Sequence, residues 1–300
     1  MEPREPDSSA HVEVVSAAAK VISKRKSFTV NYLGERTHLD IIICAKHVPE
    51  TAEAELKIDP TGKNIDKTGL VFDINESDDY ALEEAVRLKE KQGGIVTAIT
   101  VGGDDSDSTL RKCMARGADK AIRMTDPKFS GSDGFAVAKI LHSAIKNLHY
   151  DLILTGTQAA DDGSSMVGPI LAELLKIPHV TMVKKIELGA GVAKVNRELE
   201  GGLEEQIEIK LPAVFSVQTG INEPRYVSIM GIRKAMQKEI KIMTLSDTGL
   251  AENDVGPAGS WTTVEKMYVP PVEKQAEFLK GSPEEAAAKV AEILKAKGLI

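Results

Sequence analysis

Three features predict an α/β protein, built on a mostly parallel twisted sheet with helices on both faces. Four short segments, "LDIIICA" (39–45), "IVTAITVG" (95–102), "KAIRMTD" (120–126) and "DLILTG" (151–156), are nearly continuous apolar runs, as expected of strands buried on both faces. Between them, "YALEEAVRLKEKQG" (80–93), "DSTLRKCMARGA" (107–118) and "GFAVAKILHSAIKNL" (134–148) repeat apolar residues at helical spacing. After residue 177 the pattern changes to strand-like alternation broken by the joints "GAG" and "EGG". Repeated βα units imply parallel strands, and the glycine joints imply an antiparallel extension.

The elements follow in order. Residues 1–38 mix an acidic start, "SAAAKVISKRKS" and a candidate strand "FTVNYL", and read as a poorly ordered N-terminal extension. Residues 39–245 form the α/β domain, in which Gly93, Gly94 and Gly117 stop their helices. In its second half "HVTMVKKIEL", "GVAKVNRELE", "GLEEQIEIKL" and "AVFSVQTG" are the strands of the antiparallel extension. From about Leu245 an irregular arm leads to a final helix in "SPEEAAAKVAEILKAKGLI", with Ser282 as N-cap, Pro283 as first residue and Glu285 as capping-box partner. Isolated apolar residues in the arm of 246–300, among them Trp261, Met267, Tyr268 and Val269, suggest a segment laid over another surface.

Composition excludes several classes. At 300 residues, 42% hydrophobic and 28% charged, the chain can bury a full core. A formal net charge of −7 without a basic stripe argues against nucleic acid and anionic membranes as partners. No apolar run approaches the roughly 20 residues that cross a bilayer, and the acidic N-terminus is unlike a secretory signal, so a cytoplasmic (or mitochondrial matrix) location is expected. Cys44 and Cys113 read as buried thiols of a reducing compartment. The six histidines show no metal spacing, and neither GxxxxGK[ST] nor a GxGxxG after the first strand is present. Neither a catalytic nor a metal site is expected; a binding or carrier role is.

Ligands of open α/β sheets bind beyond the carboxyl ends of the strands. Those ends fall at Cys44-Ala45-Lys46, Gly102-Gly103-Asp104 and the stretch from Gly156 to Val167. The last, "GTQAADDGSSMV", offers small residues, N–H groups entering a helix and the hydroxyls of Ser164 and Ser165, which together suit a phosphate. Asn75 and Asp78 begin the helix of 80–93 and read equally well as ordinary caps, as Asp161 and Asp162 do for the helix after them.

The segments "IIICAKHVPET", "NESDDYALEEAVRLKEK", "GTQAADDGSSMVGPILAELLKIP", "RELEGGLEEQIEIKLPAVFSVQTGINEPRY" and "IMGIRKAMQKEI" resemble, in order, the beta subunit of electron-transfer flavoprotein (the ETF-beta, or FixA, family) across residues 39–300. The resemblance implies a Rossmann-like, adenine-nucleotide-binding fold and a heterodimer with an alpha subunit, on which the C-terminal arm packs. It implies one FAD held mostly by alpha, and AMP, or in electron-bifurcating members a second, NADH-oxidising FAD, held by this chain. Carried over by position, the nucleotide site takes Cys44, Asn75, Glu76, Ser77, Asp78, Gly103, Gly156, Thr157, Gln158, Ala159, Ala160, Asp161, Asp162, Gly163, Ser164, Ser165, Met166 and Val167. Many members have Pro at the position of Glu76 and Gln at that of Met166. The stretch "PRYVSIMGIRKAMQK" (224–238) is similar to the family's docking loop, with Ile229 and Met230 as apolar anchor and Arg233 and Lys234 as flanking cations. The implied role is carriage of electrons from flavin dehydrogenases such as acyl-CoA dehydrogenases to electron-transfer flavoprotein-quinone oxidoreductase or another acceptor.

Overall fold

A computed structural model describes residues 38–51, 54–271, 276 and 278–300. The N-terminal extension, with its candidate strand "FTVNYL", lies outside the described residues apart from His38. The chain divides into two compact units, one taking in the chain to Glu55 and Lys67–Thr263, the other Leu56–Asp66 and Val264–Ile300.

In the first unit the elements run β1 (Leu39–Cys44), β2 (His47–Pro49), β3 (Phe72–Ile74), α1 (Glu76–Gln92), β4 (Gly94–Val101), α2 (Asp107–Arg116), β5 (Lys120–Met124), α3 (Gly134–Ile145), β6 (Leu152–Gly156) and α4 (Val167–Leu175). Then come β7 (His179–Leu188), β8 (Val192–Glu198), β9 (Glu204–Lys210), β10 (Ala213–Val217), α5 (Ile229–Gln237), β11 (Ile240–Met243), α6 (Leu245–Thr248) and α7 (Gly256–Gly259). Nine strands form one sheet in the order β11-β5-β4-β1-β6-β10-β7-β8-β9. All pairs from β11 to β7 are parallel, and only β7-β8 and β8-β9 are antiparallel.

The apolar runs explain the layers. Side chains alternate across a strand, so Ile41 and Ile43 face one core with α1 and α2, while Ile42 and Cys44 face the other with α3 and α4. Both cysteines are buried and unpaired. The sequence expectation for the second half needs correction in one respect. "AVFSVQTG" is no part of the antiparallel extension: β10 returns to lie between β6 and β7, parallel to both, and all five of its residues are buried. The short strands β2, β3 and β11 carry no clear sequence periodicity; β11 is fixed by pairing with β5 at the sheet edge.

The stretch expected to be irregular from Leu245 first turns through α6 and α7, and Leu245, Leu250 and Val255 pack on the second core cluster. In the other unit, Ile58 bridges Ile65, Met267 N–H donates to the Gly62 carbonyl at 2.8 Å, and α8 (Pro283–Ala296) has the expected capping box of Ser282 and Glu285. No helix among the described residues is long and apolar enough to cross a membrane.

Candidate functional site

The sheet order reverses at β1: β4 and β5 lie to one side of it, β6 and β10 to the other. Connections that leave in opposite directions open a crevice beyond the carboxyl ends of the strands. About 800 Å³ of empty space, its open mouth included, lies there. Its walls are Cys44 to Lys46 after β1, Ile99 to Val101 at the end of β4, Ser132 to Gly134 before α3, Asn75 and Asp78 of the α1 start, and most of the stretch from Thr155 to Gly168.

Asp78 joins three of these segments. Its buried carboxylate accepts the N–H of Lys46 at 2.7 Å through Oδ2 and the N–H of Gly156 at 2.7 Å through Oδ1. Position 156 must be glycine for this approach, because a Cβ there would stand 2.4 Å from Asp78 Oδ1. Burial pushes the Asp78 carboxyl up to about 7, against the opposing pull of the two N–H donors. Cys44 lies beside it; burial first, and the Asp78 charge second, raise its thiol pKa and hold it as the unreactive protonated form.

The helix-cap readings of the acidic and amide residues are corrected. Asn75 occupies the N-cap position of α1 without capping it: its Nδ2 donates to the Gln158 carbonyl at 2.9 Å and its Oδ1 accepts the Ala160 N–H at 3.0 Å. Asp161 and Asp162 do not cap α4, whose N-cap is Met166. They accept instead from Lys46 Nζ, at 2.6 and 2.7 Å. Burial lowers the Lys46 pKa, but hydrogen bonds to both aspartates outweigh it and leave the ammonium above its ordinary value. Burial likewise raises the Asp162 carboxyl, and the bonds from Lys46 and the Ser164 N–H reverse the shift.

Of the residues singled out from sequence, Cys44, Asn75, Asp78, Gly156 to Ala159, Asp162 and Ser164 to Val167 line the crevice. Ala160, Asp161 and Gly163 shape the loop behind it. Glu76 and Gly103 are exposed and Ser77 is buried, and none of the three lines it. Gly103 instead accepts the Ser106 hydroxyl at 2.6 Å. Sequence reasoning missed Thr100, Val101 and Ser132 to Gly134. The last had a legible signal: Asp133 precedes a strongly apolar helix, and it caps α3 by accepting the Ala136 N–H at 3.0 Å. The N-cap of α4 has no side-chain cap bond, which leaves the first-turn N–H groups beside Met166, Val167 and Gly168 for an anion. Backbone donors and hydroxyls at a switch point fit a phosphate-bearing ligand, and the apolar wall of Ile99, Val137 and Leu141 fits a flat ring.

The electron transfer flavoprotein domain family matches residues 64–248. The chain belongs to the electron-transfer flavoprotein beta-subunit family. It is 40% identical over 254 residues to electron transfer flavoprotein subunit beta of Methylophilus methylotrophus, covering 82% of this chain and 96% of that one. It is 40% identical over 263 residues to the subunit beta of Thermoanaerobacterium thermosaccharolyticum, covering 87% of this chain and 100% of that one. Caffeyl-CoA reductase-Etf complex subunit CarD of Acetobacterium woodii is 36% identical over 263 residues, covering 87% of this chain and 99% of CarD. Membership in this family carries a flavin-associated electron-transfer role and partnership with an alpha subunit.

A second region of this electron-transfer flavoprotein chain stands apart from the crevice. Ser228 caps α5 by accepting the Gly231 N–H at 3.0 Å, and along the helix Ile229 is 73% exposed, Met230 66% and Met236 64%, with only Ala235 buried. Arg233 and Lys234 are exposed beside them. The alternative that Ile229, Met230 and Ile232 form the buried face of the helix is thereby excluded for the isolated chain. Arg111 of α2 holds the helix end, donating to the carbonyls of Ala235, at 2.6 Å, and Lys238.

Proposed function

We propose that this chain is the beta subunit of a heterodimeric electron-transfer flavoprotein and that its crevice holds AMP in a structural role. The observation that carries the reading is the meeting of Cys44, Asn75, Asp78 and the 156–167 stretch in one crevice at the topological switch point. The first-turn N–H groups of α4 with Ser164 and Ser165 hold the phosphate, and Asn75 and Asp78 fix the loop that carries them. FAD, shared with the alpha subunit and held mostly by it, supplies the redox chemistry. Electrons arrive from flavin dehydrogenases of the acyl-CoA dehydrogenase type, as in fatty acid oxidation, and leave to electron-transfer flavoprotein-quinone oxidoreductase or another acceptor.

The exposed face of α5 docks these dehydrogenases, Ile229 and Met230 as anchor and Arg233 and Lys234 as steering charge. Trp261, Tyr268 and Val269, all largely exposed in the isolated chain, bury against the alpha subunit together with Met267. A chain ending at Thr263 keeps the whole first unit and is expected to lose most of its heterodimer stability. The complex works in the cytoplasm, or in the mitochondrial matrix of a eukaryote.

Similarity to CarD and to an acryloyl-CoA reductase electron transfer subunit of Anaerotignum propionicum, 33% identical over 268 residues, supports a second reading. In it the crevice holds a second FAD that oxidises NADH, and the complex is an electron-bifurcating flavoenzyme. Extraction of bound nucleotides from the purified heterodimer decides: one FAD and one AMP supports the carrier, two FAD supports bifurcation, and one FAD with no other adenine nucleotide contradicts both.

A further inference from the structure

Among the described residues that line the crevice there is one cation, Lys46, facing three carboxylates, Asp78, Asp133 and Asp162. With carboxylates in excess, the ammonium is drawn to them before any ligand arrives. Lys46 is committed: its Nζ bridges Asp161 Oδ1 at 2.6 Å and Asp162 Oδ2 at 2.7 Å, residues 115 and 116 positions away in sequence.

The loop that carries those aspartates is fastened at its start and at its tip. At the start Thr157 N–H donates to the Val217 carbonyl at 2.9 Å, and the Asn75 amide holds Gln158 and Ala160. Beyond Ala160 the hydrogen bonds within the loop make it a compact unit: Gly163 N–H to the Ala159 carbonyl at 2.9 Å, Gln158 Nε2 to the Gly163 carbonyl at 3.0 Å, Ser164 N–H to Asp162 Oδ1 at 2.9 Å. Lys46 ties that unit across the crevice to the end of β1. Its side chain is partly exposed, as are those of Asp161 and Asp162, so the tie can be broken by solvent and salt without unfolding the sheet.

We infer that Lys46 is the latch of the crevice, a positioning residue that closes the Gln158–Ser165 loop over the bound nucleotide and sets its rate of release. The inference rests on the reading that the crevice holds AMP. It differs from a direct phosphate contact in the sign of one effect. If Lys46 served the phosphate alone, neutralising Asp161 and Asp162 would relieve repulsion and slow release. As a latch, the lysine needs its two acceptors, and neutralising them speeds release.

The test uses the full-length chain in complex with its alpha partner, loaded with radiolabelled AMP and chased with unlabelled AMP. Lys46→Met and the double variant Asp161→Asn/Asp162→Asn should each release AMP about tenfold faster or more, as expected for loss of charge-assisted hydrogen bonds. The triple combination should release no faster than Lys46→Met, because both changes remove one interaction. Lys46→Arg, which can still span both carboxylates, should stay close to wild type. Raising salt should speed release from the wild type and leave Lys46→Met unmoved. Slower or unchanged release from the exposed double variant, or additive effects in the triple variant, overturns the latch. A wild-type complex that retains no label overturns the AMP reading beneath it, and the latch with it.

Discussion

The crevice is held by polar groups sealed from solvent, whereas the α5 surface sets apolar side chains in solvent on a polar footing. Around the crevice, Asp78 and Asn75 satisfy backbone groups on loops about 30 and 80 residues distant, and each bond closes one strand end onto another. At α5, Arg111 and the Ser228 cap fix the backbone while Ile229, Met230 and Met236 meet little of their own chain. The first arrangement fixes a shape before a ligand arrives. The second leaves its apolar area for a partner to cover, at roughly 25 cal/mol per Å² buried. Substitutions should therefore separate: stability and nucleotide content respond at the crevice, docking kinetics at α5.

The largest effect is expected at Asp78. Asp78→Ala orphans two backbone N–H groups, each worth about 1–3 kcal/mol when left unsatisfied. Chemical denaturation should show a loss of several kcal/mol and extraction a near-complete loss of nucleotide, with the α5 surface unaffected in any protein that survives.

Next comes a pH dependence. The Asp78 carboxyl titrates at about 7 when folded and near its ordinary value of 3.8 when unfolded. Between those values the folded state keeps a proton that the unfolded state gives up, so this group makes the nucleotide-free chain less stable as pH rises from 4 to 7. The slope of denaturation midpoint against pH across that range should be more negative in the wild type than in Asp78→Asn. Equal slopes in the two proteins would remove Asp78 as a protonated group.

Arg111→Met should act locally. With the Lys238 carbonyl left without its donor and the Ala235 carbonyl keeping only the Lys238 N–H, α5 should fray at its end, costing about 1–3 kcal/mol in local opening. Faster amide exchange over Ile229–Gln237 with normal nucleotide content is the expected pattern.

The smallest stability change belongs to Ile229→Ala, within about 0.5 kcal/mol for so exposed a side chain. Electron transfer from the dehydrogenase should slow nonetheless. Lys234→Glu should lower the association rate and lose its effect once salt shortens the Debye length to about 8 Å. A strong fall in melting temperature for Ile229→Ala would make that residue core and erase the contrast between the two regions.

What the sequence disclosed follows the physics of each region. The buried strands were legible because burial on both faces demands unbroken apolar runs such as Ile41 to Cys44, and α8 because Ser282, Pro283 and Glu285 cap it locally. The 156–167 loop was legible as a strand-to-helix junction. Its bonding partners were not: Asn75 and Asp78 look like caps in a linear chain, and only the fold brings Gln158, Ala160 and Gly156 within their reach. The pairing of Lys46 with Asp161 and Asp162 is equally invisible at a separation of more than 100 residues. Strand β10 was misplaced because alternation reports burial and says nothing of the neighbour, and β11 owes its form to the β5 edge.

The claim that the crevice holds an adenine nucleotide is tested most directly at Gly163. It sits in the loop with φ +63°, where a β-branched residue is strongly disfavoured, and a Cβ there would meet Gln158 Nε2 at 3.1 Å. Gly163→Val should therefore reshape the loop while leaving the two core clusters untouched. Nucleotide extracted from the purified heterodimer is the measurement. The wild type should yield about one adenine nucleotide beyond the FAD of the alpha subunit, and Gly163→Val a small fraction of that, with the fold intact by circular dichroism. Full occupancy in Gly163→Val would contradict the placement.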